Sequence, residues 1–212
     1  MRIIFIGGFA SNKNQLAITR HELESFFGQT VETISLRTAT SNPIFIKRLV
    51  KDAFVITHSA GILTVLHARP KKIIVIAPPV PMRRLKLAYR GLLKTVHLIN
   101  NSVTSDRRKR VRLYHFHATK DLLCNLFYYL RLLKRVSLFD TIPSCITLAQ
   151  KKVDVTIAYM SRDSLFQKQA DGDLLPATSH GITIKTYVEG EHDELLLFPV
   201  RVLEDIGVSS SL

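Results

Sequence analysis

Short runs of apolar and β-branched residues recur along the chain and are separated by stretches with helical spacing. The runs predict strands at Arg2–Ile6, Val31–Leu36, Phe54–Thr57, Lys72–Ala77, Asp154–Met160 and Thr183–Val188. The stretches between them predict helices at Asn14–Phe27, Pro43–Asp52, Ala60–His67 and Glu194–Ile206. Because the strands are apolar nearly throughout, they favour an α/β fold with a mostly parallel central sheet of about six strands and helices on both faces.

The alternation of strands and helices stops in the middle of the chain. A proline-rich run at 78–81 ends the fourth strand, since proline can neither continue a helix nor pair in a sheet. Two amphipathic stretches follow, at Arg83–Asn100 and Lys120–Val136. We interpret residues from about 80 to 146 as a helical lid insertion in one domain of residues 1–212. It should lie above the carboxyl edge of the sheet, where open α/β sheets bind ligands.

A serine at the end of the third predicted strand indicates nucleophilic chemistry. Ser59 follows an apolar run, and the small residues Ala60 and Gly61 let the backbone bend there without a clash. The predicted order is a strand, a sharp turn with the hydroxyl, and a helix. This arrangement is called the elbow below. A lone serine in an apolar run is more often only a turn residue. The interpretation therefore requires a base and an acid elsewhere in the chain.

Two loops that follow predicted strands supply candidate partners for Ser59. His192 follows the sixth strand and precedes the last helix, a loop position that can reach the sheet edge. Asp163 follows the fifth strand in the same way. The order along the chain, Ser59, Asp163, His192, is then nucleophile, acid, base.

Further titratable residues compete for these two roles. They are His58, His115, His117 and His180 for the base, and Asp154, Asp171 and Asp173 for the acid. His180 precedes a strand rather than following one, and His58 lies on the elbow itself. Asp193 is adjacent to His192, and its alternative role is to cap the final helix.

A tetrahedral intermediate also needs hydrogen-bond donors for its oxyanion. The backbone N–H of Ala60, directly after the serine, is the first candidate. Gly7 and Gly8 allow the loop after the first strand to approach a substrate, and the N–H of Phe9 in that loop is the second. The predicted substrate-binding residues lie beside the serine or on the insertion: Gly8, His58, Leu126 and Phe127.

These motifs together resemble the α/β-hydrolase superfamily. Residues 57–61 resemble its nucleophile elbow, Gly7–Phe9 its oxyanion loop, Gly190–Asp193 its histidine loop, and the insertion its variable lid. Thr57 replaces the first glycine of the usual G-x-S-x-G motif, and Gly7 stands where many members have histidine. The resemblance implies a minimal version of the fold, without the two antiparallel strands that come first in longer members. It implies hydrolysis of an ester, thioester, amide or related bond.

The expected function is that of a serine carboxylesterase, similar to a lipase, acting on a small-molecule ester. A thioesterase or another acyl hydrolase with the same three residues is one alternative. A non-catalytic protein that binds anionic membranes or partners through the insertion is another. The resemblance implies no metal and no organic cofactor, and the oligomeric state does not follow from the sequence.

The net charge of +13 lies almost entirely in the insertion. Residues 82–135 contain fourteen Lys and Arg against two Asp, a local charge of +12. The apolar positions of the two flanking stretches favour packing on the sheet edge and lining an acyl pocket. An anionic membrane surface is the alternative partner for such a basic amphipathic segment. A nucleic-acid partner is disfavoured, because no recognition motif accompanies the charge.

The remaining bulk properties point to an ordinary globular protein. Its hydrophobic fraction is 46%, and no apolar run reaches the length of a membrane span. The apolar start of the chain, residues 1–8, is better interpreted as a buried strand than as a signal peptide. Cys124 and Cys145 have no metal-ligand spacing. A reduced, cytoplasmic location is expected.

Overall fold

The structure is a computed structural model with a parallel sheet at its centre. It describes residues 1–9, 11, 13–82, 86, 116, 120–121, 123–163, 166, 171–187, 191–192 and 194–210, with only the backbone at 171–173. Within these residues the strands are β1 (Ile3–Ile6), β2 (Val31–Ile34), β3 (Phe54–His58), β4 (Lys72–Ile76), β5 (Asp154–Met160) and β6 (Thr183–Tyr187). They form one sheet in the order β2-β1-β3-β4-β5-β6, and every neighbouring pair is parallel.

Helices cover both faces of this sheet. They are α1 (Lys13–Phe27), α2 (Leu36–Ser41), α3 (Pro43–Leu49), α4 (Leu126–Ser137), α5 (Thr141–Gln150), α6 (Asp171–Ser179), α7 (Glu194–Leu197) and α8 (Pro199–Asp205). A 3₁₀ helix at Ser59–Thr64 directly follows β3.

The core consists of two layers, because successive strand residues point to opposite faces of the sheet. Phe5, Phe54 and Ile56 lie on the face that packs against α1, α7 and α8. Ile4 and Val55 lie on the other face, which packs against α3, α5 and α6. Burial on both faces explains why these strands read as continuous apolar runs.

The strand predictions are confirmed, with bounds that agree within two residues. The predicted fold class is also confirmed, and the sheet is parallel throughout. The parallel sheet could be predicted because its central strands are apolar at most positions, which is typical of strands that are buried on both faces.

Two of the predicted helices differ from the structure. The helix predicted at Ala60–His67 is instead the 3₁₀ helix at Ser59–Thr64, in which the Thr64 hydroxyl donates to the Gly61 carbonyl at 2.8 Å. The helix predicted at Glu194–Ile206 is divided into α7 and α8 at Phe198, because Pro199 has no N–H to continue the first helix and starts the second. Helices α2, α5 and α6 were not predicted.

The predicted insertion is only partly within the described residues. Its first helix, predicted at Arg83–Asn100, lies outside them. The second, predicted at Lys120–Val136, corresponds to α4. Helix α5 overlaps the predicted end of the insertion, yet Ile142, Cys145 and Leu148 pack in the core against the sheet. This helix therefore belongs to the covering layer of the sheet.

No helix among the described residues is long and apolar enough to span a membrane. The cytoplasmic location stays a prediction.

Both cysteines are free: Cys124 is exposed, whereas Cys145 is buried in the core. Burial raises the pKa of the Cys145 thiol to about 12, so this cysteine behaves as an apolar core residue.

Candidate functional site

Ser59 lies at the point where the order of the sheet strands reverses. β1 and β3 are neighbours, and the chain leaves them toward opposite edges of the sheet. Such a point opens a crevice at the carboxyl ends of the strands. Ser59 follows β3 at this edge, is 1% exposed, and has a φ of 51°, in the left-handed region. A non-glycine residue in this conformation is strained, and such strain is concentrated at functional sites.

Two glycines allow the elbow to form so close to β1. A Cβ at Gly61 would lie 2.7 Å from the carbonyl oxygen of Ile6. A Cβ at Gly8 would lie 2.8 Å from the Cβ of Ser59 and 2.7 Å from His58 Nδ1. The loop after β1 therefore lies against the serine. The close approach of this loop to a substrate stays a prediction.

We expect Gly61→Ala to destabilise the protein, although alanine is usually the better residue in a helix. The φ of Gly61 is outside the left-handed region, so an alanine in open space there would stabilise the fold by up to about 1 kcal/mol. The Ile6 carbonyl is backbone and cannot turn away from the added methyl group. We expect a loss of about 1–3 kcal/mol in the free energy of unfolding, measured by urea denaturation. A gain in stability would contradict the contact.

The structure brings His192 and Asp163 together. His192 Nδ1 and Asp163 Oδ2 are 2.8 Å apart, and both side chains are buried. A carboxylate only accepts, so Nδ1 carries the proton and donates it to Asp163. This leaves Nε2 as the ring nitrogen that can accept a proton from another group.

The carboxylate of Asp163 is fixed by a second hydrogen bond. The backbone N–H of Phe166 donates to Asp163 Oδ1 at 2.8 Å, so the two carboxylate oxygens have different partners. The ring of Phe166 lies 5.3 Å from the ring of His192 and is buried. Sequence reasoning did not identify Phe166. An aspartate side chain that accepts from a backbone N–H shortly after it is a common local contact, but the sequence has no feature that singles out Phe166.

His58 is buried against the histidine loop and does not face open space. Its Nε2 lies 2.7 Å from the backbone carbonyl oxygen of His192, so this nitrogen donates. The two imidazole rings are 5.0 Å apart. The geometry favours a role for His58 in holding His192, where the sequence predicted contact with substrate.

Apart from His58, the residues that competed with His192 and Asp163 for the roles of base and acid either lie away from the pair or are not among the residues whose side chains the structure describes. His180 is exposed, with Nδ1 2.7 Å from the Pro176 carbonyl oxygen. Asp154 is exposed and 3.6 Å from the Lys72 amine. Four more candidates are outside the residues whose side chains are described: His115, His117, Asp171 and Asp173. The same is true of Asp193.

Helix α4 forms a roof over the elbow. Tyr129, Leu132 and Val136 on one side of α4 form a buried cluster with Ala60 and Phe166. The Tyr129 ring also packs on the ring of Phe9 in the loop after β1, with 4.6 Å between the ring centroids.

Polar side chains of α4 and of its N-cap form hydrogen bonds to α2 and to Asp121, which precedes the helix. The hydroxyl groups of Tyr128 and Thr40 are 3.0 Å apart, which joins α4 to α2. The Tyr129 hydroxyl donates to Asp121, and Asn125 Nδ2 donates to the same carboxylate at 2.9 Å. Burial is the main cause that raises the pKa of Tyr129, and the hydrogen bond to Asp121 raises it further. The hydroxyl therefore keeps its proton and stays a donor.

The structure does not place Leu126 and Phe127 on the roof side of α4. Both side chains are exposed, whereas Tyr129, which follows them by two or three positions, is buried. The sequence predicted that these two residues would bind substrate. The hydrogen bond of Tyr128 to Thr40 and the packing of Tyr129 on Phe9 turn the other side of the helix toward the site instead.

No group of three or more His, Cys, Asp or Glu side chains in the described part of the chain could hold a metal ion. Among the described residues at this edge of the sheet, the imidazoles of His58 and His192 and the carboxylate of Asp163 are buried and hydrogen-bonded. Such a set can move a proton and stabilise a cation.

Comparison with known proteins adds information about the fold. A scan against models of known protein families and a search of curated proteins found no match. Among solved structures, a carboxylesterase of the thaumarchaeon Nitrososphaera gargenis matches with a TM-score of 0.63 at 11% identity, over 96% of this chain and 87% of that one. The chain has the α/β-hydrolase fold. A bacterial membrane phospholipase A gives 0.62 at 11% identity, over 96% and 76% of the two chains. The thioesterase domain of the curacin biosynthetic pathway gives 0.55 at 11% identity, over 95% and 88%.

The resemblance to the α/β-hydrolase superfamily, based on three loops, is thus confirmed for the fold. Within an α/β-hydrolase fold these loops follow β1, β3 and β6 at one edge of the sheet.

Proposed function

We propose that this protein is a serine hydrolase that cleaves carboxylic esters through Ser59, His192 and Asp163. One observation carries the proposal. The buried His192–Asp163 pair lies at the sheet edge where Ser59 occupies a strained turn, with the His192 ring 5.0 Å from that of the residue before the serine. A buried imidazole oriented by a carboxylate beside an elbow serine is the arrangement that activates a hydroxyl.

The reaction proceeds in two halves. Ser59 Oγ attacks the acyl carbonyl while His192 Nε2 takes its proton, and Asp163 stabilises the resulting imidazolium. The tetrahedral intermediate collapses, the bond to the alcohol oxygen breaks, and His192 returns the proton to the leaving alcohol. A water molecule then attacks the acyl-enzyme, with His192 again as base, and the acid is released.

The oxyanion is held by the backbone N–H groups of Ala60 and Phe9. Ala60 follows the nucleophile, and Phe9 follows Gly8, whose backbone lies against Ser59. Ser11 supports this loop, because its N–H and its hydroxyl both donate to the Gly8 carbonyl, at 3.3 and 2.8 Å. Donors held in place before reaction need no reorganisation as negative charge develops.

The roof favours an apolar acyl group. The buried side chains that surround Ala60 are aliphatic or aromatic, among them Leu36, Leu132 and Phe166. Apolar walls stabilise an acyl or aryl group by burial and leave a strongly polar substrate unsolvated.

The test combines turnover with covalent labelling. Purified protein is assayed with p-nitrophenyl esters from acetate to palmitate and, in parallel, with acyl-CoA thioesters. A fluorophosphonate probe should label Ser59, as located by peptide mapping, and ester turnover should fall as labelling proceeds. Labelling with turnover of thioesters alone would favour the thioesterase alternative. Absence of both labelling and turnover would overturn the proposal and favour a non-catalytic binding protein.

We further expect His58 to act as a positioning residue for His192. His58→Phe keeps the ring and removes the donor to the His192 carbonyl, which leaves that buried oxygen without its partner. We expect kcat to fall about 10- to 100-fold with little change in KM, because the base is displaced while the acyl site is unchanged.

His58→Gln is the matched variant, since its amide can donate from nearly the same position. It should recover most of kcat. A His58→Phe variant that folds stably and keeps the wild-type kcat would remove His58 from this role, and so would equal losses in the two variants.

A further inference from the structure

The side of the roof helix that faces away from the site is apolar and exposed. Three large side chains of α4 are exposed there, at 46% for Leu126, 81% for Phe127 and 53% for Leu130. Their spacing, i, i+1 and i+4, places them on one side of the helix. Leu123 is exposed at 69%, but it precedes the N-cap residue Asn125, whose φ of −129° is not helical, and so lies outside α4. Leu126, Phe127 and Leu130 are called the outer face of α4 below.

The outer face cannot be covered by a simple rotation of the helix. Tyr129 and Leu132 on the opposite side are buried against Ala60, and Tyr128 is bonded to Thr40 of α2. Turning the outer face inward would break these contacts and bring the basic side chains beside it toward the core. The exposed leucines and phenylalanine are therefore directed outward by the fold.

Basic side chains border the outer face. Arg131, Lys134 and Arg135 are exposed on the same helix, and Lys120 is exposed just before it. The sequence of α4 contains no acidic residue, and the nearby Asp121 is bonded to Tyr129 and Asn125. An apolar strip bordered by lysine and arginine matches a layer that is apolar within and anionic at its surface.

We propose that the outer face of α4 docks on an anionic phospholipid bilayer. Leu126, Phe127 and Leu130 enter the boundary between headgroups and acyl chains, and the bordering basic residues contact the lipid phosphates. A lipid surface fits better than an acidic protein groove, because the apolar side chains stand out from a convex helix and the sequence segment that includes most of this helix, residues 82–135, has a net charge of +12. Since the other side of α4 roofs Ser59, docking would hold the candidate site next to the lipid layer.

The absence of tryptophan from the sequence allows a clean fluorescence test. Phe127→Trp reports on the outer face, and Leu175→Trp is the matched control, an exposed leucine on α6 without basic residues in that helix. Both are made in a Ser59→Ala background, so that binding is measured without hydrolysis. The result is then independent of whether the proposed enzymatic function is correct.

The probes are vesicles of pure phosphatidylcholine and vesicles in which one lipid in four is phosphatidylglycerol. With the anionic vesicles, the emission of the Phe127→Trp variant should shift to the blue and be quenched by brominated acyl chains, and that of the Leu175→Trp variant should not change. If the protein bound neither kind of vesicle, the proposal would be overturned. Equal responses of the two tryptophan variants would also overturn it. A blue shift of the Phe127→Trp variant without lipid that increases with protein concentration would assign the face to a second copy of the chain instead.

The charge requirement is tested separately. The triple variant R131S/K134S/R135S should bind anionic vesicles about a hundredfold more weakly, from about fivefold for each basic residue near the surface. The control K51S/K71S/K151S removes the same charge from loops before β3, β4 and β5, at the opposite edge of the sheet. Equal losses in the two triple variants would mean that net charge alone attracts the protein, which would overturn the assigned surface.

Discussion

Replacing Ser59 by alanine should lower kcat/KM for p-nitrophenyl esters by about 10⁴- to 10⁶-fold, the loss typical of a removed nucleophile. The side chain is small and buried, and alanine keeps the same backbone strain at a φ of 51°. The free energy of unfolding should therefore change by less than about 1 kcal/mol. Steady-state kinetics and urea denaturation measure the two quantities on the same preparation.

The matched control is Ser144→Ala, which removes a hydroxyl bonded to the Asp140 carbonyl on α5. It should retain wild-type turnover. Ser59→Gly adds a second test, because glycine relieves the left-handed strain and should stabilise the fold by about 1 kcal/mol while turnover is lost. If Ser59→Ala retained more than about a hundredth of the activity, another group would be the nucleophile.

Asp163→Asn should lower kcat by about 10³- to 10⁴-fold. The Asn side chain still accepts from the Phe166 N–H, so the turn after β5 should persist. Its amide group can donate to His192 Nδ1, which would place the proton of neutral His192 on Nε2 and remove the base. Kinetics at saturating substrate measure the effect on kcat, and fluorophosphonate labelling of Ser59 should slow in parallel.

Asp154→Asn serves as the control for this substitution. Asp154 is exposed and pairs with Lys72 at the amino end of the strands, where a surface ion pair contributes little. Its kcat should be unchanged. An Asp163→Asn variant within tenfold of wild type would show that His192 does not depend on this carboxylate.

The sequence carried enough information to locate the loops of the site. The central strands β1, β3, β4 and β5 are apolar at most positions because they are buried on both faces, so their ends are visible in the sequence. The edge strands β2 and β6 are partly exposed, and their β-branched residues made them recognisable. Parallel strands end at one edge, and the residues that follow β3, β5 and β6 had to lie at that edge. The pairing of His192 with Asp163 could be predicted for this reason.

The contacts made by the insertion could not be predicted in the same way. The apolar positions of residues 120–136 are spread around most of the helix, and the pattern favoured Leu126 and Phe127 as the packed ones. The rotation depends on partners that are distant in sequence, namely Thr40 for Tyr128 and Phe9 for Tyr129. Hydropathy carries no information about such partners. The role of His58 was missed for the same reason, because its acceptor is the carbonyl of His192.

The sequence by itself therefore determined the α/β fold, the order of the candidate catalytic residues and the position of the elbow. These follow from local properties: continuous burial of strands, small residues at a turn, and polar side chains after strand ends. Only the tertiary structure decided which side of α4 covers the elbow and which side faces outward. Those outcomes depend on hydrogen bonds and ring contacts between segments far apart in the chain, which form only after the sheet has brought the segments together.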